Sequence, residues 1–286
     1  MADIDRALAW AGEALGATVV GHVPLAGGLT STMLALRDDS GGETVLRLMT
    51  NEPWRAHGAE LTTRERAAQV FLADTAVPAP TSLGLDAAGG STGVAAHLMS
   101  RLPGAPLRDV DDSVLAAMAD VLATIHGLRP AEPFRLFQSW AWEAKWVVPA
   151  WTRRPESWRR AFELLAGAQP HYEPTLLHRD FGHHNLLWRD GAITGVVDWV
   201  ETSTGPAWLD AGHAATNLAV KFGTEPAVAF VRHWAVTTET AVEPYWLVMD
   251  AVGFLPPPGR QSMFGDPAEL ERLDAWLDLI VRGDLS

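Results

Sequence analysis

Apolar residues at Ile4, Leu8 and Leu15, with alanines between them, repeat at helical spacing as far as Gly16, and this predicts a short amphipathic helix over 4–15. The period then changes to two. Thr18 to Pro24 and Ser31 to Arg37 read as strands joined by Leu25-Ala26-Gly27-Gly28-Leu29-Thr30, and Glu43 to Met49 reads as a third strand after the Asp39-Ser40-Gly41-Gly42 turn. In that third strand Val45 and Arg47 fall on one face and Leu46 and Leu48 on the other, so one face is core and the other carries a cation. A helix over 57–74, with Leu61, Ala68, Phe71 and Leu72 as its stripe, stops before Val77-Pro78-Ala79-Pro80. Two more strands, Thr81 to Asp86 and Thr92 to Met99, flank Ala87-Ala88-Gly89-Gly90 and complete an expected five-stranded antiparallel sheet.

Ser100-Arg101-Leu102-Pro103-Gly104 is a polar, Pro- and Gly-containing connector and marks the expected domain boundary. Beyond it the period is helical: Val114, Leu115, Met118, Val121, Leu122 and Ile125 form one stripe that ends near His126-Gly127, where His126 reads as a helix-end residue. Five tryptophans follow, at 140, 142, 146, 151 and 158, and the spacing of Trp142 and Trp146 puts both on one helix face. Packing is their default role, and an exposed subset could stack on a sugar ring, a macrocycle or a quaternary amine. Further helices are expected from Gly205-Pro206 through Asn217, over 227–236 and 241–252, and over 267–281 beyond the Pro256-Pro257-Pro258-Gly259 break. The expectation is an α+β protein with a sheet-rich first lobe, residues 1–100, and a mainly helical second lobe, residues 101–286.

The polar residues that interrupt this pattern are concentrated in one stretch. Leu176-Leu177 and Leu186-Leu187-Trp188 bracket His178-Arg179-Asp180-Phe181-Gly182-His183-His184-Asn185, Asp190-Gly191 makes a hairpin turn, and a second apolar run ends at Asp198-Trp199. An acid, an Asn five residues on, and a second acid after a short hairpin are the parts that phosphoryl transfer requires: a carboxylate to orient a hydroxyl and accept its proton, and oxygen ligands for magnesium. His178, His183 and His184 leave a metal hydrolase open as an alternative, and a structural turn as the plain one.

These motifs resemble those of the aminoglycoside phosphotransferase family, small-molecule kinases with a protein-kinase-like fold. The resemblance implies that Asp180 is the catalytic base, that Asn185 and Asp198 bind magnesium, that His178 braces the loop, and that Asp210 accepts backbone hydrogen bonds from it. It also implies ATP or GTP between the lobes. The Gly27-Gly28 loop would approach the phosphates, although a plain hairpin is the alternative there. Val45 would roof the base, Arg47 would hold phosphates, and backbone around Met99, Ser100 and Leu102 would meet the purine. Glu65 would pair with Arg47, with Glu60 as the competing choice. Three positions depart from the family pattern: Arg47 replaces a Lys, Arg179 stands where many relatives have Gly, and Pro206 follows Gly205 where relatives often have Asp.

Composition narrows the partners. The chain has 286 residues, 48% hydrophobic and 20% charged, with no cysteine, so it has no disulfide framework and no thiolate chemistry, and it suits a reducing cytoplasm. Met1-Ala2-Asp3-Ile4-Asp5-Arg6 has no basic start followed by an apolar core, and charges interrupt every long apolar run, which points away from secretion and membranes. A net charge of -13 disfavours nucleic acid and favours a cationic small molecule. The expected acceptor is therefore a hydroxyl-bearing, amine-bearing molecule of the aminoglycoside or macrolide kind, meeting acids such as Glu201, Glu239, Glu243 and Asp250 on the second lobe. A metabolic kinase for choline, homoserine or a sugar, and a nucleotide-binding protein without turnover, are the alternatives.

Overall fold

The computed structural model describes residues 4–26, 28, 30–260 and 266–285. Gly27 and the Met1-Ala2-Asp3 start therefore lie outside the described residues. The chain forms two compact units, residues 1–105 with 187–201, and residues 106–186 with 202–286.

In the first unit, α1 (Ile4–Leu15) precedes β1 (Val19–Pro24), β2 (Thr32–Asp38) and β3 (Glu43–Leu48); α2 (Gly58–Leu72) precedes β4 (Ser82–Asp86) and β5 (Ala96–Ser100). The five strands are antiparallel in the order β1-β2-β3-β5-β4, as the alternation predicts. Period two sorts the sheet faces: Leu34, Leu36, Leu46, Leu48, Ala96 and Leu98 bury against Ala7 and Ala11 of α1. Arg47 pairs in register with His97, and both side chains reach Glu65 of α2. The predicted strand over 92–99 starts late, because Asp86 accepts the backbone N–H groups of Gly90, Ser91 and Thr92 and holds that stretch in a turn. The hairpin of β7 (Leu186–Arg189) and β8 (Ala192–Val196) turns at Asp190 and Gly191, both with positive φ, 53° and 78°.

The second unit contains α3 (Asp112–Gly127), α4 (Pro155–Ala166), β6 (Thr175–Leu177) paired with β9 (Ser203–Gly205), α5 (Trp208–Phe222), α6 (Thr224–Thr238), α7 (Pro244–Gly253) and α8 (Pro267–Arg282). Twelve of the 15 residues of α5 are buried, so this helix is the core of the unit, with α6, α7 and α8 around it. Gly212 lets α7 come close, since a Cβ there would lie 3.3 Å from the Trp246 carbonyl oxygen. Asp111 caps α3 through the Val114 N–H, and Glu243 with Pro244 starts α7 later than the periodicity suggested.

The tryptophan segment differs from expectation. Trp142 and Trp146 share no helix face, because the backbone there makes only a 3-10 turn at Glu143–Lys145. Trp146 stacks on Phe162 of α4 and donates Nε1–H to the Ala141 carbonyl, while Trp142 is exposed with Lys145 over its ring. No helix among the described residues is long and apolar enough to cross a membrane.

Candidate active site

The candidate residues assemble as two sets, one in each unit. In the first unit the Arg47 guanidinium is buried at the α2 face of the sheet. Its Nη2 donates to Glu65 Oε1 at 3.1 Å and to Asp198 Oδ1 at 2.9 Å, and its Nη1 donates to Ser31 Oγ at 3.1 Å. Burial opposes the Arg47 charge, and Asp198 and Glu65 override it, so its pKa is raised. Burial likewise opposes ionisation of Glu65, which Arg47 and His97 outweigh to hold that carboxyl low. His97 binds Glu65 Oε2 through Nδ1 at 2.8 Å and Ser82 Oγ through Nε2 at 2.9 Å. Glu60 pairs with Arg64 instead.

Around this centre Val45 is opposite Met99 in the β3–β5 ladder, and Gln69 Nε2 is 3.5 Å from Met99 Sδ. Ser100 donates its N–H to the Thr81 carbonyl and accepts the Thr81 N–H on Oγ. Leu102 lies against Gly195, where a Cβ would be 2.8 Å from its Cδ1. At Gly28 a Cβ would overlap the Ser31 carbonyl oxygen, so the hairpin requires glycine there on steric grounds alone. Asp198 has φ 67°, a left-handed conformation uncommon outside glycine, Asn and Asp.

In the second unit the loop after β6 is tied to α5. Asp210 in the first turn of α5 accepts the His178 N–H at 2.8 Å and the Arg179 N–H at 2.7 Å, and His126 Nε2 lies 3.1 Å from its Oδ2. Burial works against the Asp210 charge, but His126 and the loop hold its pKa low. Pro206 leaves these bonds intact. His178 accepts the Asp180 N–H on Nδ1 at 3.2 Å. Arg179 adopts φ 74°, the region that glycine enters without strain, which is a physical reason for glycine in relatives. Its guanidinium lies 3.9 Å over the Trp140 ring and 3.5 Å from Asp250 Oδ1.

Both oxygens of Asp180 are held. Oδ2 accepts from Asn185 Nδ2 at 3.1 Å, and Oδ1 lies 2.9 Å from Nε2 of His213 on α5. The Asp180 side chain keeps 29% of its surface exposed, so lone pairs remain open to a ligand. Burial alone would raise its pKa; His184 and His213 instead hold it far below the usual carboxylate range. Asn185 spends its amide N–H groups on Asp180, which leaves the amide oxygen as the atom suited to a hard cation. Neither His97 nor His213 was singled out from sequence, since a lone histidine in a strand or a helix carries no local signal. The spacing of three residues from Asp210 to His213, which puts both on one helix face, was the available clue.

Three of the expected acceptor-facing acids have other roles. Asp250 is fully buried beneath His213, and Glu201 belongs to the first unit beside Arg64. Glu243 caps α7 and Glu239 is exposed. A hydrolytic metal cluster is not formed: among the described residues no three histidine, cysteine or acidic side chains come together to hold a metal. Burial pushes His183 down to about 4, with its ring against Phe222.

Against this geometry, the family model of the phosphotransferase enzyme family matches residues 22–245. The chain belongs to that family. Viomycin phosphotransferase of Streptomyces vinaceus is 32% identical over 129 residues, which are 38% of this chain and 45% of that protein. The aligned part thus spans less than half the length of this relative. Among solved structures, aminoglycoside phosphotransferase APH(4)-Ia superposes with a TM-score of 0.68 at 19% identity, covering 98% of each chain. An aminoglycoside-3'-phosphotransferase of type VIII gives 0.62 at 20% identity, covering 86% of this chain and 97% of the other. The fold is the aminoglycoside-phosphotransferase, kinase-like α+β fold.

Proposed function

We propose that this family member transfers the terminal phosphate of ATP or GTP to a hydroxyl of a small, amine-bearing acceptor of the aminoglycoside or macrolide kind. The observation that carries the reading is Asp180: an ionised, partly exposed carboxylate gripped at both oxygens on a loop that α5 anchors. It orients the acceptor hydroxyl, accepts its proton as the new O–P bond forms, and leaves the nucleoside diphosphate as product. Arg47, steered by Glu65, holds phosphate oxygens, and the hairpin loop at Gly28 brings backbone near them. Ser100 already donates its N–H to Thr81 and Met99 is paired with Val45 and Ser82 inside the sheet, so Leu102, beyond the end of β5, is the better candidate for purine contact.

The donor set fits magnesium: Asn185 offers an amide oxygen and Asp198 a carboxylate, both hard oxygen ligands. Magnesium, when bound, neutralises charge on the phosphates. The complexes of APH(4)-Ia with ADP and hygromycin B support both nucleotide and acceptor class. A cytoplasmic site of action suits a cysteine-free chain that consumes nucleoside triphosphate. One observation favours nucleotide binding without turnover as the second reading: Asp198 is already paired with Arg47, which competes with a cation for that carboxylate.

The test is transfer of labelled γ-phosphate from ATP and, separately, from GTP to hygromycin B, viomycin, a macrolide, choline, homoserine and a neutral sugar. Transfer to an amine-bearing antibiotic is expected. Preference for the sugar or for a metabolic alcohol would sink the acceptor class and keep the kinase; tight nucleotide binding with no transfer to anything would favour the second reading.

A further inference from the structure

We infer that His213 is the positioning residue for Asp180: as an imidazolium clamped between Asp180 and the buried Asp250, it fixes the carboxylate that meets the acceptor hydroxyl. The inference rests on the proposed role of Asp180 and goes beyond it, because within the loop motif this side chain has a hydrogen bond from Asn185 and a longer approach by His184, and neither comes from the helix beneath the loop. His213 Nε2 lies 2.9 Å from Asp180 Oδ1 and Nδ1 lies 3.1 Å from Asp250 Oδ1. An ionised carboxylate oxygen only accepts, so both contacts are hydrogen bonds only when both ring nitrogens carry a proton.

The surroundings agree with a charged ring. On the loop, Asp180 faces it directly, with His184 Nε2 3.8 Å from the same Asp180 oxygen. From α7, Asp250 is fully buried, and its Oδ1 is also 3.5 Å from Arg179 Nη1. From the segment before α4, Trp140 meets the imidazole edge-on at 5.2 Å, and Lys145 donates to the Gly253 carbonyl close enough to Asp250 to feel its charge. Phe254 covers another side at 5.4 Å. Charges thus alternate along Asp180, His213, Asp250 and Arg179. Burial disfavours the imidazolium, and the two carboxylates overcome it and raise the His213 pKa to about 9.

Function follows from geometry. With Nε2 of His213 on one oxygen and Nδ2 of Asn185 on the other, the Asp180 carboxylate plane cannot rotate. His184 and His213 depress its basicity, so Asp180 acts mainly by orienting the hydroxyl, which suits a loose phosphoryl-transfer transition state in which the proton leaves late.

The experiment compares the full-length wild type with Asp180→Asn, His213→Gln and His213→Phe. Transfer from ATP to hygromycin B, to viomycin and to water is followed from pH 5 to 10, with nucleotide affinity and melting temperature measured alongside. His213→Gln keeps one donor toward Asp180 and guards against a misfolded Phe variant. It is expected to lose about 10- to 100-fold in kcat with nucleotide affinity within about threefold of wild type. It should also lose the alkaline limb near the His213 pKa. Wild-type kcat and pH profile in His213→Gln, alongside an impaired Asp180→Asn, would overturn the inference alone. Equal turnover in Asp180→Asn and wild type would overturn the base assignment and the inference with it. Imidazole nitrogen NMR reads the clamp without turnover: a doubly protonated His213 at pH 7.5 that loses this state in Asp180→Asn supports it, and a singly protonated ring overturns it.

Discussion

Arg47 shows how much one residue can carry. It is 3% exposed and bonded to Ser31, Glu65 and Asp198, so removing it takes the guanidinium from the Glu65 carboxylate, which is 0% exposed and keeps its hydrogen bond to His97. Arg47→Ala is expected to destabilise the fold by about 3–5 kcal/mol, the range for breaking a buried pair, and to abolish nucleotide binding. Arg47→Lys keeps the charge but has no planar fork to span three acceptors, so part of both should survive. Denaturant unfolding and nucleotide titration check the order wild type, Lys, Ala. His213 gives a pH signature of opposite placement to that of acids. Its folded pKa of about 9 lies above its ordinary 6.5, so its contribution is complete below pH 6.5, declines above it, and is lost as pH rises through about 9. The denaturation midpoint of the wild type should fall across that window, and His213→Gln should flatten the fall. An equal slope in both proteins would contradict the charged clamp.

Among elements, α5 organises the loop that carries Asp180. It grips the backbone through Asp210 and the carboxylate through His213, from one face of a helix that is itself core. Asp210→Ala would leave the buried N–H groups of His178 and Arg179 without acceptors, each costing about 1–3 kcal/mol. Loss of hydrogen-exchange protection at residues 178 and 179, ahead of the rest of β6, is the expected readout; unchanged protection would assign the anchoring elsewhere. The sheet was legible because strict alternation in β2 and β3 faces α1 on one side, and Asp190-Gly191 named its own turn. The late start of β5 was not, because it depends on the Asp86 carboxylate gathering three amides, which has no periodic trace. The 140–150 segment has helical tryptophan spacing, yet its irregular backbone stacks Trp146 on Phe162 of α4 and leaves Trp142 exposed. The Asp180–Asn185 contact was legible because the two lie on one short loop, whereas His97 and Asp250 meet their partners only through long-range packing.

At the scale of the whole molecule, the net charge of -13 should matter more for encounter than for chemistry. If the acceptor is cationic, its KM should rise as salt is raised past about 0.1 M, where the screening length falls to ~10 Å, with kcat little changed. A salt-independent KM would argue for a neutral acceptor. The central claim, that this member of the phosphotransferase enzyme family performs phosphoryl transfer with Asp180 orienting the acceptor, is tested most directly by kcat of Asp180→Asn measured beside its nucleotide affinity. The account predicts turnover lower by at least about 100-fold with affinity nearly unchanged, because the variant keeps an amide-sized side chain but not the charge that accepts the proton. Turnover at the wild-type rate in a folded, nucleotide-binding Asp180→Asn protein would contradict it.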